Sequence, residues 1–146
     1  PVGAFISSHK MMKTLQDRPK LGHITTFGGN AVIAASSLAT LQEITQSDLI
    51  SNTLEKEKYF RTKLVHPLIK EIRGKGLMLA LIMETAEITN HVVLTAAQQQ
   101  LILFWLLFEP RAVRISPPLT ISMKEIEVGC DQILGILNDY QASSVN

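Results

Sequence analysis

The C-terminal segment constrains the fold most tightly. Ser122-Met-Lys-Glu125 has the form of a helix capping box, in which the serine hydroxyl and the glutamate carboxylate each satisfy a free backbone N–H at the start of a helix. Behind it, Ile126, Cys130, Ile133, Leu134, Leu137 and Tyr140 recur at the 3.6-residue period and fall on one face. A helix with such a stripe needs an apolar surface to lie on, and the sequence upstream offers three candidate strands. Leu77-Met-Leu-Ala-Leu-Ile-Met83 is a continuous apolar run after a glycine turn and reads as a buried strand, although periodicity alone also allows a short buried helix. Leu101 to Phe108 reads as a second buried strand, and Ala112 to Ile115 as a third that Pro117-Pro118 stops. A helix capped by Thr89 or Asn90 and ending near Gln100 separates the first two. The connections are of unequal length, which leads to a small mixed sheet of about three strands covered by helices: α/β overall, α+β in the C-terminal part.

The first part of the chain has a different texture. Ser8 can cap a short helix through Leu15, and Asp17-Arg-Pro-Lys-Leu-Gly22 reads as a turn. His23-Ile-Thr-Thr-Phe-Gly-Gly-Asn30 is a polar loop, and Asn30 is the natural N-cap of a helix from Ala31 to about Ile44, with Ala34, Leu38 and Leu41 on one side. Its many alanines and serines allow close approach of a neighbouring backbone, so this helix is expected to be packed. Ser47 starts a second helix through roughly Val65, with Glu57 and Arg61 at i,i+4 on a charged, solvated face, and Pro67 ends it. A domain boundary is expected in this charged region, dividing residues 1–50 from 51–146.

Composition removes several function classes. Hydrophobic residues make up 46% of the 146 and charged residues 18%, which is the balance of a globular protein and excludes disorder and collagen. Fourteen Lys+Arg against thirteen Asp+Glu give a formal charge of +1 without a basic stripe, so nothing points to nucleic acid. The apolar part of Leu101 to Phe108 is far shorter than the roughly 20 residues a bilayer span requires. The single cysteine fits a reducing compartment, read as the cytoplasm, and its place in the core stripe makes Cys130 a small buried hydrophobe. The chain opens on Pro1-Val-Gly-Ala-Phe-Ile-Ser7, a strand-like run without an initiator methionine or a signal-peptide pattern, so it is expected to begin inside a larger protein. His9, His23, His66 and His91 have no metal-ligand spacing, and no hydrolytic constellation is visible. Lys10, Lys13, Lys56, Lys58 and Lys63 sit among polar neighbours, where an amine is a poor Schiff-base nucleophile.

Three segments remain as candidates for chemistry. Arg73-Gly-Lys-Gly-Leu-Met-Leu-Ala80 invites a dinucleotide reading, but the third glycine of GxGxxG would fall at Leu79, and the order helix, turn, strand is the reverse of that fingerprint. It is read as a glycine turn. Thr25-Thr-Phe-Gly-Gly-Asn30 places hydroxyls and glycines just ahead of a helix N-terminus, where a phosphate would fit; a capped loop without a ligand has the same pattern. Arg114 alternates with Val113 and Ile115 on a rigid strand, suited to bidentate carboxylate recognition or, alternatively, to an edge strand facing water.

Taken in order, these segments resemble the C-terminal part of the class III aminotransferases, the fold-type I pyridoxal-phosphate enzymes that include acetylornithine, ornithine and 4-aminobutyrate aminotransferases. Pro1-Val-Gly-Ala-Phe5 is similar to the segment directly after the cofactor lysine, and His23-Ile-Thr-Thr-Phe-Gly-Gly-Asn30 to the loop that reaches the cofactor. His66-Pro-Leu-Ile through Arg73-Gly-Lys-Gly-Leu-Met78 resembles the start of the small domain, and Arg114-Ile-Ser-Pro-Pro-Leu-Thr120 its arginine strand.

The resemblance implies that residues 1–50 are the tail of the large cofactor-binding domain and 51–146 the small domain. It implies that Thr26, with Thr25 beside it, binds the pyridoxal phosphate of the neighbouring subunit in a homodimer, and that Arg114 pairs with an active-site glutamate or receives a substrate carboxylate. The reaction implied moves an amino group between an amino acid or ω-amine and a 2-oxo acid. The catalytic lysine, the stacking aromatic, the aspartate on the ring nitrogen and the glutamate partner of Arg114 would lie upstream of Pro1, so the 146 residues alone are expected to be inactive. The residues by themselves also accommodate a non-enzymatic α/β binding module. Two departures from the family stand out: Gln100 where glycine is usual, and Leu103-Phe-Trp-Leu-Leu-Phe108, which is bulkier than usual.

Overall fold

The computed structural model describes residues 2–16, 18–20, 22 and 24–143. Asp17, Leu21 and His23 of the expected turn and loop, and Pro1, lie outside the described residues. The chain divides into two compact units, Pro1–Ser47 and Asp48–Asn146.

The first unit holds α1 (His9–Lys13), with Ser8 accepting the Met11 N–H at 3.3 Å, and α2 (Ala31–Gln46). Asn30 caps α2 as its side-chain type predicts: Oδ1 accepts the N–H groups of Val32 and Ile33, each at 3.1 Å. The expected burial of α2 is not met. Within this unit none of its residues is buried, and Val32, Leu38 and Leu41 are exposed.

The second unit is an open two-layer α+β sandwich. Its elements are α3 (Thr53–Lys63), β1 (Ile69–Lys75), β2 (Met78–Met83), α4 (Ala86–Gln98), β3 (Phe104–Leu106), β4 (Glu109–Ile115) and α5 (Met123–Ser143). The four strands lie in the order β1-β2-β4-β3, every neighbouring pair antiparallel. The sheet is thus antiparallel where unequal connections suggested mixed directions, and it gains β1, a strand that the charged sequence Ile69-Lys-Glu-Ile-Arg-Gly-Lys75 conceals. Alternation along β2 and β4 turns Leu79, Leu81, Met83, Val113 and Ile115 to one face, where they meet Phe60 and Leu64 near and beyond the end of α3, Val92 and Ala96 of α4, and Ile126, Cys130, Ile133 and Leu137 of α5. The capping box of α5 forms as read: Glu125 accepts from the N–H and the hydroxyl of Ser122, and Ser122 Oγ accepts the Glu125 N–H at 3.2 Å. Cys130 is fully buried in that core, and desolvation pushes its thiol up to about 12, so it is the inert hydrophobe its position implied.

Three boundaries differ from the sequence reading. The helix expected from Ser47 starts at Thr53, after turns; α4 starts at Ala86 under Thr85, whose hydroxyl accepts the Ile88 N–H at 3.3 Å; and β3 keeps only three residues of the apolar run. The charged face of α3 is also more than solvated. Lys56 is buried and donates to the Leu119 carbonyl at 2.7 Å, and Arg61 reaches the carbonyls of Ile72 and Gly74 at 2.6 and 3.0 Å while its Nε holds Glu57 at 2.9 Å.

Candidate functional site

The threonine-glycine loop is two overlapping tight turns. Gly28 N–H donates to the Thr25 carbonyl and Asn30 N–H to the Phe27 carbonyl, both at 3.2 Å. The second turn requires its glycine, since Gly29 takes φ +74°, and a side chain at Gly28 would bring its Cβ within 2.5 Å of Thr25 Oγ1. These turns carry the chain into α2 with Thr25 and Thr26 exposed.

The donors available for an anion are not the ones a bare helix N-terminus would offer. The Val32 and Ile33 N–H groups are held by the Asn30 side chain, and Ala34 N–H donates to the Asn30 carbonyl at 2.9 Å. Thr26 stands at the second position of the first turn, and among the described residues neither its N–H nor its hydroxyl takes part in the hydrogen bonds that build the loop. The groups that cap α2 are therefore distinct from those that Thr26 leaves exposed. An open cleft beside the loop is lined by Thr25, Phe27, Gly28, Gly29 and Asn30 together with Val2 and Gly3.

The Arg73-Gly-Lys-Gly76 segment, expected to run from helix to turn to strand, is the β1–β2 hairpin. Gly74 and Gly76 both take positive φ, and Gly76 N–H donates to Glu57 Oε2 at 2.6 Å. This bond, followed by the Arg61 contact, holds the Glu57 carboxyl below the usual carboxylate range. The glycines join two antiparallel strands and do not lead from a strand into a helix as the dinucleotide fingerprint requires, so the rejection of a dinucleotide site stands.

Arg114 occupies β4, an interior strand, and not the edge strand that the alternative reading assumed. Val113 and Ile115 on either side are buried in the helix-covered face, whereas Arg114 is exposed on the opposite face of the sheet. Across that face the register aligns Arg73, Ala80, Arg114 and Phe104 in one row. The Arg114 guanidinium carbon lies 5.0 Å from the centre of the Phe104 ring. The other arginines of this unit are each tied to a carboxylate: Arg61 to Glu57, Arg73 to Glu71 at 2.8 Å and Arg111 to Glu109 at 3.1 Å. Arg114 has no ion pair among the described residues. Thr26 and Arg114 belong to different units.

Sequence reading missed Phe104, because its role depends on the β3–β4 register, and Lys56, whose buried carbonyl contact links positions far apart in the chain. Gln100 has a clearer meaning in the structure. It takes φ +64°, the only positive φ among the described non-glycine residues, and closes α4: its N–H donates to the Ala97 carbonyl at 3.2 Å while Leu101 N–H donates to Ala96 at 2.8 Å. That is a Schellman closure, in which glycine is the usual occupant. Among the described residues no group of three or more His, Cys, Asp and Glu is placed to hold a metal, and no helix is long and apolar enough to cross a membrane.

Solved structures share this fold. A transaminase with L-alanine superposes with a TM-score of 0.77 at 23% identity, over 92% of this chain and 35% of its own. The ornithine aminotransferase of Toxoplasma gondii ME49 gives 0.74 at 25% identity, over 85% of this chain and 31% of its own. The N-acetylornithine aminotransferase of Stenotrophomonas maltophilia K279a gives 0.71 at 24% identity, over 80% and 33%. The chain thus spans about a third of the length of these structures. The sequence model of the family described as aminotransferase class-III matches residues 1–137 of the 146, and on that match the chain belongs to the class III aminotransferases.

Proposed function

We propose that this chain is the C-terminal third of a fold-type I aminotransferase that moves an amino group between an amino acid or ω-amine and a 2-oxo acid. Residues 1–50 are the tail of the large cofactor-binding domain and 51–146 the small domain, a division supported by the two compact units. The observation that carries the reading, beside family membership, is Arg114: a guanidinium on a rigid interior strand, exposed and without an ion pair among the described residues, is suited to an incoming carboxylate.

Class III aminotransferases use pyridoxal phosphate, and the donor set of the loop fits the phosphate end of that cofactor. Thr26 offers a hydroxyl and an N–H outside the turn bonds, and the loop geometry that exposes them requires Gly28 and Gly29. When bound, the cofactor would supply the electron sink that lets the donor's carbon give up a proton in one half-reaction and the 2-oxo acid's carbon gain one in the other. This chain's own part is binding and orientation. Thr26 and Thr25 hold the phosphate, in a homodimer across the interface from the neighbouring subunit, and the exposed apolar residues of α2 support a covered position for that helix in the assembly. Arg114 fixes the substrate by its carboxylate or pairs with a glutamate when the substrate has none. The lysine, stacking aromatic and aspartate for the ring end are supplied upstream of Pro1, so the 146 residues alone are inactive. A buried, unpaired thiol supports the cytoplasm as compartment.

The test is made on the full-length protein. It should bind pyridoxal phosphate and transfer an amino group to a 2-oxo acid, and Thr26→Val should lower cofactor affinity about 10- to 100-fold, since a hydrogen bond to a charged group contributes roughly 1.5–3 kcal/mol. Unchanged affinity would return the loop to helix capping alone.

A further inference from the structure

We infer that Phe104 is a positioning residue for Arg114, setting how tightly the site takes a carboxylate. The inference rests on the reading of Arg114 as the carboxylate receptor. Two observations carry it. Phe104 is the direct cross-strand partner of Arg114, which places both side chains on the same face of the sheet, and the guanidinium carbon sits 5.0 Å from the ring centre. Arg73 and Arg111 lie on β1 and β4 of the same sheet, and each is held through its own N–H groups by a carboxylate two residues away. A guanidinium held in that way has given up donors that a ligand would need.

Contact with a ring works differently. An aromatic ring has no lone-pair acceptor, so its attraction for the cation forms none of the N–H···O bonds by which a carboxylate ties up the five donors of arginine. Phe104 therefore limits the wandering of a long, rotamer-rich side chain and leaves the planar fork open for a bidentate carboxylate. On the other side of Arg114 in the row stands Ala80, whose methyl group leaves room for the fork. Phe104 itself is about half exposed, so the ring is not required to fill the core, and its loss should act through Arg114 first. The bulky run at Leu103-Phe-Trp-Leu-Leu-Phe108 thus supplies a positioning group at its second residue.

The probe is glutarate, a dicarboxylate, with pentylamine as a ligand that lacks a carboxylate; dissociation constants are measured by titration of the full-length holoenzyme. Phe104→Leu should weaken glutarate about two- to fivefold, the size of an exposed cation–π contact, and leave pentylamine unchanged. Phe104→Tyr, which keeps the ring face, should restore wild-type affinity. In an Arg114→Gln background, Phe104→Leu should have no further effect. Glutarate binding that falls with Arg114→Gln but not with Phe104→Leu overturns this inference and leaves Arg114 as the receptor. Equal losses for glutarate and pentylamine in Phe104→Leu also overturn it, as a general structural effect. Glutarate binding indifferent to Arg114→Gln, or absent from the wild type, removes the carboxylate reading of Arg114 and this inference with it.

Discussion

At position 100 a side chain occupies backbone space that favours glycine. The left-handed conformation brings Cβ toward the following carbonyl, at a cost of roughly 1–2 kcal/mol for an ordinary L-residue, while glycine gives back part of that advantage through the greater freedom of its unfolded chain. Gln100→Gly should therefore stabilise the protein by about 0.5–1 kcal/mol, seen as a higher urea midpoint at unchanged slope. A lower midpoint would mean that the glutamine side chain makes a compensating contact. Single residues differ in how openly the sequence displays their role. Asn30, Ser122 and Glu125 act through their own helix starts, within three residues, and were legible for that reason. Phe104 and Lys56 act across the fold, on partners that only the sheet register and the packing of α3 identify. Thr26 is an intermediate case: its hydroxyl, its loop and the Asn30 cap were visible, but the two overlapping turns that place it needed the structure.

Among the elements, α3 and the β1–β2 hairpin are joined by Glu57, which accepts from Gly76 N–H with one oxygen and from Arg61 with the other. Because these bonds hold the carboxyl below its ordinary value of 4.5, their contribution to stability is present above that value. It fades as pH falls through the lowered native value. Glu57→Gln should lower stability near neutral pH, and the gap between variant and wild type should narrow as pH drops below about 4.5. Urea midpoints measured from pH 7 down to 3 check this, and a gap independent of pH would show that the carboxylate charge is irrelevant to the joint. The hairpins also explain where element reading failed. Ile69-Lys-Glu-Ile-Arg-Gly-Lys75 forms a charged edge strand in which a register shift between Ile69 and Glu71 breaks the period-two pattern, so only Ile69 and Ile72 are partly buried. In the β3–β4 hairpin the chain reverses at Leu107 and Phe108, both nearly fully exposed, without the glycine, asparagine or proline that announces a turn. Apolar composition there predicted one long buried strand. The capped α5, with its stripe over a buried sheet face, was readable because local signals and tertiary packing agree.

Over the whole molecule, the two units carry separate shares of the proposed chemistry: Thr25 and Thr26 for the cofactor phosphate in one, Arg114 for a carboxylate in the other. The chain is about a third as long as the transaminases whose fold it shares, and the lysine and ring-binding groups are proposed to come from upstream of Pro1. Order along the sequence made the class III family legible before any geometry; the exposure of α2 and the contact of Phe104 with Arg114 needed the structure. The most direct test of Arg114 as carboxylate receptor is stopped-flow measurement of the two half-reactions of the full-length enzyme with Arg114→Lys. Lysine keeps the charge and loses the planar fork, so the half-reaction with a dicarboxylate 2-oxo acid should weaken about 10-fold or more in apparent affinity, while that with an amine lacking a carboxylate should stay close to wild type. Equal, small effects on both half-reactions would contradict it and leave Arg114 as a solvent-facing residue of the sheet.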